Sequence, residues 1–271
     1  MNFTSAARHN FHTIIDQPES TINLAEAALY IAQEEYPALD VEEYLSALDA
    51  MSREVQERLG AETYPLQIIR KVNQYLYEDL GFCGENYYDP RNSFLNDVIE
   101  RRNGIPLTLS IIYLEIAKRI DFPMVGIGMP GHFLIRPDQN EMEIFVDPFQ
   151  KGEILFVEDC QKKLSSIYGK SVPFRSEFLA PVGPHQILAR MLTNLKYIYL
   201  KRRELDKSLA AIDRILLIFP EASIELRDRG FLYHQMERWA EARSDLECYL
   251  AGHPRLEDII LVRRLLEQIP T

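Results

Sequence analysis

The sequence predicts an α+β chain, mostly α: a helical region, then a small antiparallel sheet, then a second run of helices built on a repeat. Three observations predict it. Apolar residues recur at helical spacing through residues 21–120. After Pro123 the pattern changes to short, β-rich segments separated by turn residues. Beyond residue 184 a 34-residue period sets in.

The first helix runs through Leu24–Ala32, with Thr21 or Asn23 as its cap, Glu26 in its first turn and Pro37 as its break. Leu39, Val41, Tyr44, Leu45, Leu48 and Met51 mark a second helix. Ile68, Ile69, Val72, Tyr75, Leu76 and Leu80 mark a third, which Gly81 stops. A polar, aromatic loop leads to a short helix from Asn92, ending at Asn103-Gly104. Pro106 suits the first turn of the next helix, where no amide hydrogen is needed and the fixed φ is already helical. That helix continues to about Ile120 and is apolar on nearly every side, so it should be buried.

Three strands are expected at 124–129, 132–136 and 142–147, with 137–140 as a hairpin connection, and the sheet should lie against the helix that begins near Pro106. In the last part, Leu192, Leu195, Tyr199, Ser208, Ile212 and Pro220 align with Leu226, Arg229, Tyr233, Ala242, Leu246 and Pro254. Gly230 and Ala242 are small where two helices of a repeat must approach closely. Residues 256–268, with Ile259, Ile260, Val262, Leu265 and Leu266, read as a terminal capping helix.

Charge supports two domains. Residues 1–180 carry 16 Lys and Arg against 28 Asp and Glu, a net of −12; residues 181–271 carry 14 against 13, a net of +1. The shift coincides with Pro181-Val182-Gly183-Pro184, so the domains are expected at 1–182 and 183–271. A net charge of −11 disfavours nucleic acid and anionic membranes as partners. No apolar run approaches a membrane span and the first residues lack a signal-peptide pattern, so a cytoplasmic protein is expected. Cys83, Cys160 and Cys248 are scattered, and the six histidines show no ligand spacing, so no metal or cofactor is expected.

The 34-residue period, its tyrosine and its closing proline resemble a tetratricopeptide repeat. The match is weaker in the first copy, where Lys196 stands at the usual glycine. Asp89-Pro90-Arg91-Asn92-Ser93-Phe94-Leu95, Arg101–Ser110, Pro130-Gly131-His132-Phe133-Leu134 and Val146-Asp147-Pro148-Phe149 complete a wider resemblance over residues 20–268. Together they resemble the SirB-type family, a transglutaminase-like core of the papain type followed by tetratricopeptide repeats.

In that superfamily a cysteine opens the buried helix, where the helix amino-terminus favours the thiolate. A histidine and an acid come from the neighbouring strands. The resemblance places the last two at His132 and Asp147, expected within one hydrogen bond of each other. Counting back from the Arg119–Pro123 end of the helix, the cysteine position falls on Pro106. Proline has no nucleophile, so cysteine chemistry is not expected. A shift of two residues brings up Thr108 and a shift of four Ser110, so a hydroxyl nucleophile served by His132 and Asp147 is the alternative. Both hydroxyls could instead bond back to the preceding turn. Arg101, Arg102 and Arg136 are candidate carboxylate binders that could equally pair with surface acids.

Two function classes follow: a non-catalytic adaptor or scaffold that binds a protein or peptide through its repeats, or a hydrolase or acyl transferase using a hydroxyl. In the first, the repeat resemblance implies a groove exposing Arg190, Asn194 and Tyr197 from one copy and Arg227, Phe231 and His234 from the next.

Overall fold

A computed structural model describes residues 6–85, 88–138, 143–169, 172–252 and 254–270. The chain divides into two compact units, residues 1–191 and 192–271. The division falls within a helix, nine residues beyond the expected 182/183 boundary.

The first unit opens with helices α1 (Ala6–Ile15), α2 (Leu24–Gln33), α3 (Val41–Leu59) and α4 (Pro65–Asn73). Asn23 caps α2 by accepting Glu26 N–H at 3.2 Å, and Asp40 caps α3 by accepting Glu42 N–H at 3.0 Å. After α4 the backbone widens into a π-helix over Gln74–Asp79 before Gly81 turns the chain with φ +71°. A two-residue strand, β1 (Cys83–Gly84), pairs in parallel with β2 (Asn103–Gly104), and between them lies α5 (Leu95–Arg101).

Helix α6 (Pro106–Arg119) is the centre of this unit. Every residue from Pro106 to Ala117 is buried, as its all-round apolar sequence requires. Beside it lies a five-stranded antiparallel sheet in the order β6-β5-β4-β3-β7: β3 (Met124–Ile127), β4 (Leu134–Pro137), β5 (Phe145–Asp147), β6 (Glu153–Leu155) and β7 (Pro181–Val182). Of the prolines that marked a boundary in the sequence, Pro181 therefore opens an edge strand, where its missing amide is tolerated, and Pro184 opens the next helix. Helix α7 (Val157–Tyr168) follows β6. Gln139, Asn140 and Met142 of the expected hairpin lie outside the described residues.

Helix α8 (Pro184–Arg202) leads into the second unit, which continues with α9 (Leu205–Ile218), α10 (Ser223–Gln235), α11 (Trp239–Ala251) and α12 (Leu256–Gln268). Gly230 and Ala242 are both buried, and a methyl group at Gly230 would stand 2.7 Å from the Leu246 side chain. Lys196 is fully buried, with its Nζ donating to both oxygens of Glu225 at 2.8 Å and to Asp228 at 3.0 Å. Burial alone would lower its pKa, but the bonds and charges of Glu225 and Asp228 outweigh burial and hold it above the ordinary lysine value. Among the described residues no helix is long and apolar enough to cross a membrane.

Candidate functional site

The site is built on a turn. Pro130-Gly131 occupies its centre, Gly131 has φ +70°, and His132 N–H closes it by donating to Met129 O at 3.1 Å. Proline then glycine, with the positive φ on the glycine, is the requirement of a type II turn. Arg190, on α8 and within the first unit, clamps this turn. Its Nη2 donates to Met129 O at 3.0 Å and His132 O at 2.7 Å, and its guanidinium lies 5.5 Å from the centre of the Phe133 ring.

The turn delivers His132, 9% exposed, to the end of β5, where Asp147 is fully buried. His132 Nε2 donates to Asp147 Oδ2 at 2.8 Å. The same oxygen accepts Lys163 Nζ, from α7, at 2.7 Å. Asp147 Oδ1 accepts the amides of Phe149 at 3.0 Å and Gln150 at 3.3 Å, which open a short 3₁₀ turn. Burial pushes the Asp147 carboxyl up, but the His132 and Lys163 bonds and charges prevail and hold it below the usual range. With Nε2 committed, Nδ1 is the ring nitrogen left to act on anything else, and no described group bonds it.

The wall around the pair is apolar and tight. Phe149 meets the His132 ring edge-on at a centroid distance of 6.1 Å. A side chain at Gly84 would collide with the Phe149 ring at 2.3 Å, so glycine is required where β1 passes. Tyr77 is buried, and its hydroxyl has no hydrogen-bond partner among the described residues. Burial first, then Tyr113 and the charge of Asp147, push its pKa well up, so it stays a neutral donor in reserve. Cys160 is also buried; burial and then Asp159 raise its thiol to about 11, far from a reactive thiolate.

Pro106 is the first residue of α6 and is buried, in the first-turn position its fixed φ suits. Neither candidate hydroxyl bonds His132. Thr108 Oγ1 donates to Asn92 O at 2.8 Å and accepts Ile105 N–H at 3.1 Å, so it serves to start the helix. Ser110 Oγ donates to Pro106 O at 2.7 Å, one turn back. The geometry expected of a hydroxyl nucleophile is therefore not formed: both hydroxyls are spent on backbone.

Of the candidate cations, Arg101 donates to Asn92 Oδ1 at 3.1 Å, Arg102 lies 4.9 Å from the Phe82 ring, and Arg136 donates to Pro137 O at 3.2 Å. Clefts of about 510 Å³ and 500 Å³ open on this unit; neither is lined by His132 or Asp147. Among the described residues no three His, Cys, Asp or Glu groups are gathered to hold a metal.

In the second unit Tyr197 is 59% exposed, with Lys196 Nζ 5.0 Å from its ring centre. Asn194 and Phe231 are half-buried. Arg227 is committed to Asp228 at 2.7 Å and Asp258 at 2.5 Å, and His234 packs edge-on against Trp239 at 5.1 Å.

Lys163 and Tyr77 were not singled out in the sequence. The spacing of Val157, Cys160 and Leu164 is the signal that could have placed Lys163 on a helix facing the sheet. Nothing local marks Tyr77.

Comparison with known proteins agrees with this architecture. Residues 42–193 match the transglutaminase-like superfamily and residues 195–267 match the tetratricopeptide repeat. A UPF0162 protein of Xylella fastidiosa is 37% identical over 254 residues, covering 90% of this chain and 89% of its own. A UPF0162 protein of Pseudomonas aeruginosa is 30% identical, covering 91% of each chain. Human F-box only protein 21 is 30% identical over 189 residues, which are 65% of this chain and 29% of that one. No solved structure matches. On the match over more than half its length and on these relatives, the chain belongs to the transglutaminase-like superfamily, with tetratricopeptide repeats following the transglutaminase-like domain.

Proposed function

We propose that this protein is a non-catalytic transglutaminase-like protein that acts as an adaptor or scaffold, binding a protein or peptide partner through its helical repeats. One observation carries the reading. Helix α6 opens on Pro106, which has neither nucleophile nor amide hydrogen, while the histidine and aspartate of the superfamily's set stay paired at 2.8 Å. The hydroxyl alternative is weakened by the bonds of Thr108 and Ser110 to backbone oxygens.

The proposed contact surface is the part of α8 and α10 that carries Asn194, Tyr197, Arg227, Phe231 and His234. Tyr197 supplies exposed aromatic area of the kind that anchors interfaces. Arg190 is left out of it, because its guanidinium holds the His132 turn.

The test compares three forms of the tagged full-length protein in quantitative affinity purification from the native cell: wild type, Tyr197→Ala, and His132→Gln. The adaptor reading expects a partner enriched with wild type and His132→Gln and reduced at least about tenfold with Tyr197→Ala. Equal recovery by all three, or a hydrolytic or acyl-transfer activity of the purified protein that His132→Gln abolishes, would sink it.

A further inference from the structure

Helix α12 departs from the capping helix that the sequence predicts. A capping helix keeps a polar outer face. Here Leu256 is 86% exposed, Ile260 66% and Leu261 49%. The opposite side is already used: Val262 is buried against Leu246 and Tyr249, with Leu265 and Leu266 packed around them.

At 100° per residue the exposed positions fall on one stripe. Leu256, Ile260, Arg264 and Glu267 form one line, and Glu257, Leu261, Arg264 and Gln268 the next. Three charges stand on this stripe: Glu257 in the first turn, Arg264 two turns later and Glu267 near the end of the helix. Glu257 and Arg264 make no ion pair among the described residues.

Such a pattern is complementary to itself under a two-fold rotation. If a second α12 runs antiparallel across the first, with the axis near Ile260, the Ile260 and Leu261 side chains of the two copies meet at the centre. Glu257 of each copy then faces Arg264 of the other. Leu256 of each covers the aliphatic stem of the other's Arg264. Antiparallel packing also sets the two helix dipoles against each other favourably. A parallel pairing would instead place like charges together.

We infer that α12 is a self-docking surface, on which two copies of this chain pair antiparallel through Leu256, Ile260 and Leu261, with Glu257 and Arg264 setting the direction. A 13-residue helix is about 20 Å long, so the contact is smaller than the roughly 800 Å² per partner of a standard interface. The dimer is accordingly weak, with a dissociation constant on the order of 10–100 µM.

Sedimentation equilibrium of the full-length protein, from about 1 µM to roughly 300 µM, tests this. Wild type should pass from monomer to dimer across the range, and Ile260→Asp should stay monomeric. Glu257→Arg and Arg264→Glu should each weaken association at least about tenfold, because each puts two like charges in contact. Mixing these two variants restores both opposite-charge contacts in a mixed pair, so the mixture should dimerise where neither component does. Retained melting temperatures exclude unfolding as the cause, since all three positions are exposed. Wild type that stays monomeric throughout would overturn the inference. So would an Ile260→Asp protein that dimerises like wild type, or a mixture that associates no better than its components.

Discussion

Replacing Asp147 by alanine tests whether its carboxylate holds the first unit together. The side chain is fully buried and accepts four hydrogen bonds, two of them from groups that carry or can carry positive charge. Alanine leaves Lys163 Nζ, His132 Nε2 and the amides of Phe149 and Gln150 without their acceptor. Removing one member of a buried charged network costs about 3–5 kcal/mol, because the remaining charge is uncompensated. For a unit of 191 residues, at about 2–4 °C per kcal/mol, the melting temperature should fall by roughly 6–20 °C near pH 7.

The pH dependence of that difference has a definite sign. Asp147 titrates lower in the folded state than in the unfolded chain. Its ionised form therefore adds stability that is present above the unfolded carboxylate range, about 3.9, and is lost as pH falls through the folded value. The gap between wild type and Asp147→Ala should thus be full at pH 6–7, shrink below about pH 4, and be smallest at the most acid pH where both remain folded. Calorimetric scans of both proteins across that range measure it. A loss under about 2 °C at neutral pH, or a gap that does not narrow in acid, would refute the network as described.

Other substitutions probe separate parts of the chain. Lys196→Met strands Glu225 in the second unit, Asp228 keeping Arg227, and should cost about 3–5 kcal/mol, with Lys196→Met/Glu225→Gln recovering part of it; denaturant titration checks both. Ala242→Leu forces three extra carbons into a site with no exposed surface and should cost roughly 1–3 kcal/mol; an unchanged melting temperature would contradict the helix contact there. Gly152→Ala places a methyl group 2.0 Å from Asn73 Oδ1 at φ +75°, and should destabilise the first unit by about 1–3 kcal/mol in the same titration. Ser110→Ala removes one bond to Pro106 O and should cost about 1 kcal/mol or less, leaving His132 unaffected in its histidine NMR signals.

What was legible in the sequence is what local chemistry determines. Pro106 announces the start of α6, because a proline is tolerated in a first helical turn and nowhere deeper. Pro130-Gly131 announces the turn that carries His132, through the positive φ that glycine alone adopts freely. Helices α1 and α7 also escaped, although the spacing of Val157, Cys160 and Leu164 is helical. The other elements that escaped are short or tertiary. Strands β1, β2 and β7 have two residues each, too few for any alternation to register. Pro181-Val182-Gly183-Pro184 read as a domain boundary, because a proline is equally at home between domains and on a sheet edge. Arg190 sits on an amphipathic helix, where its spacing suggests a groove; its carbonyl partners lie 58 and 61 residues away in sequence. Lys196 read as a misfit at a glycine position. Its fitness depends on Glu225 and Asp228, one helical hairpin later.

The same distinction bears on why a histidine and an aspartate can stay paired beside a proline. Orienting an imidazole requires one carboxylate oxygen and a fixed backbone. Asp147 is held by more than that. Its Oδ1 starts the turn that leads to Lys151 and Gly152, and Gly152 in turn accepts Asn73 Nδ2 at 2.7 Å, while Asn73 accepts the Tyr113 hydroxyl at 3.1 Å. Its Oδ2 joins the β3–β4 turn, through His132, to α7, through Lys163. One buried carboxylate thus ties together β5, the turn after it, the histidine turn, and α7. Any change at Asp147 would disturb all of these at once, whatever the residue at the start of α6 can do. The pair therefore has a structural use that does not depend on a nucleophile, and its presence by itself is no measure of chemistry. The discriminating position is His132 Nδ1, the ring nitrogen that no group among the described residues bonds.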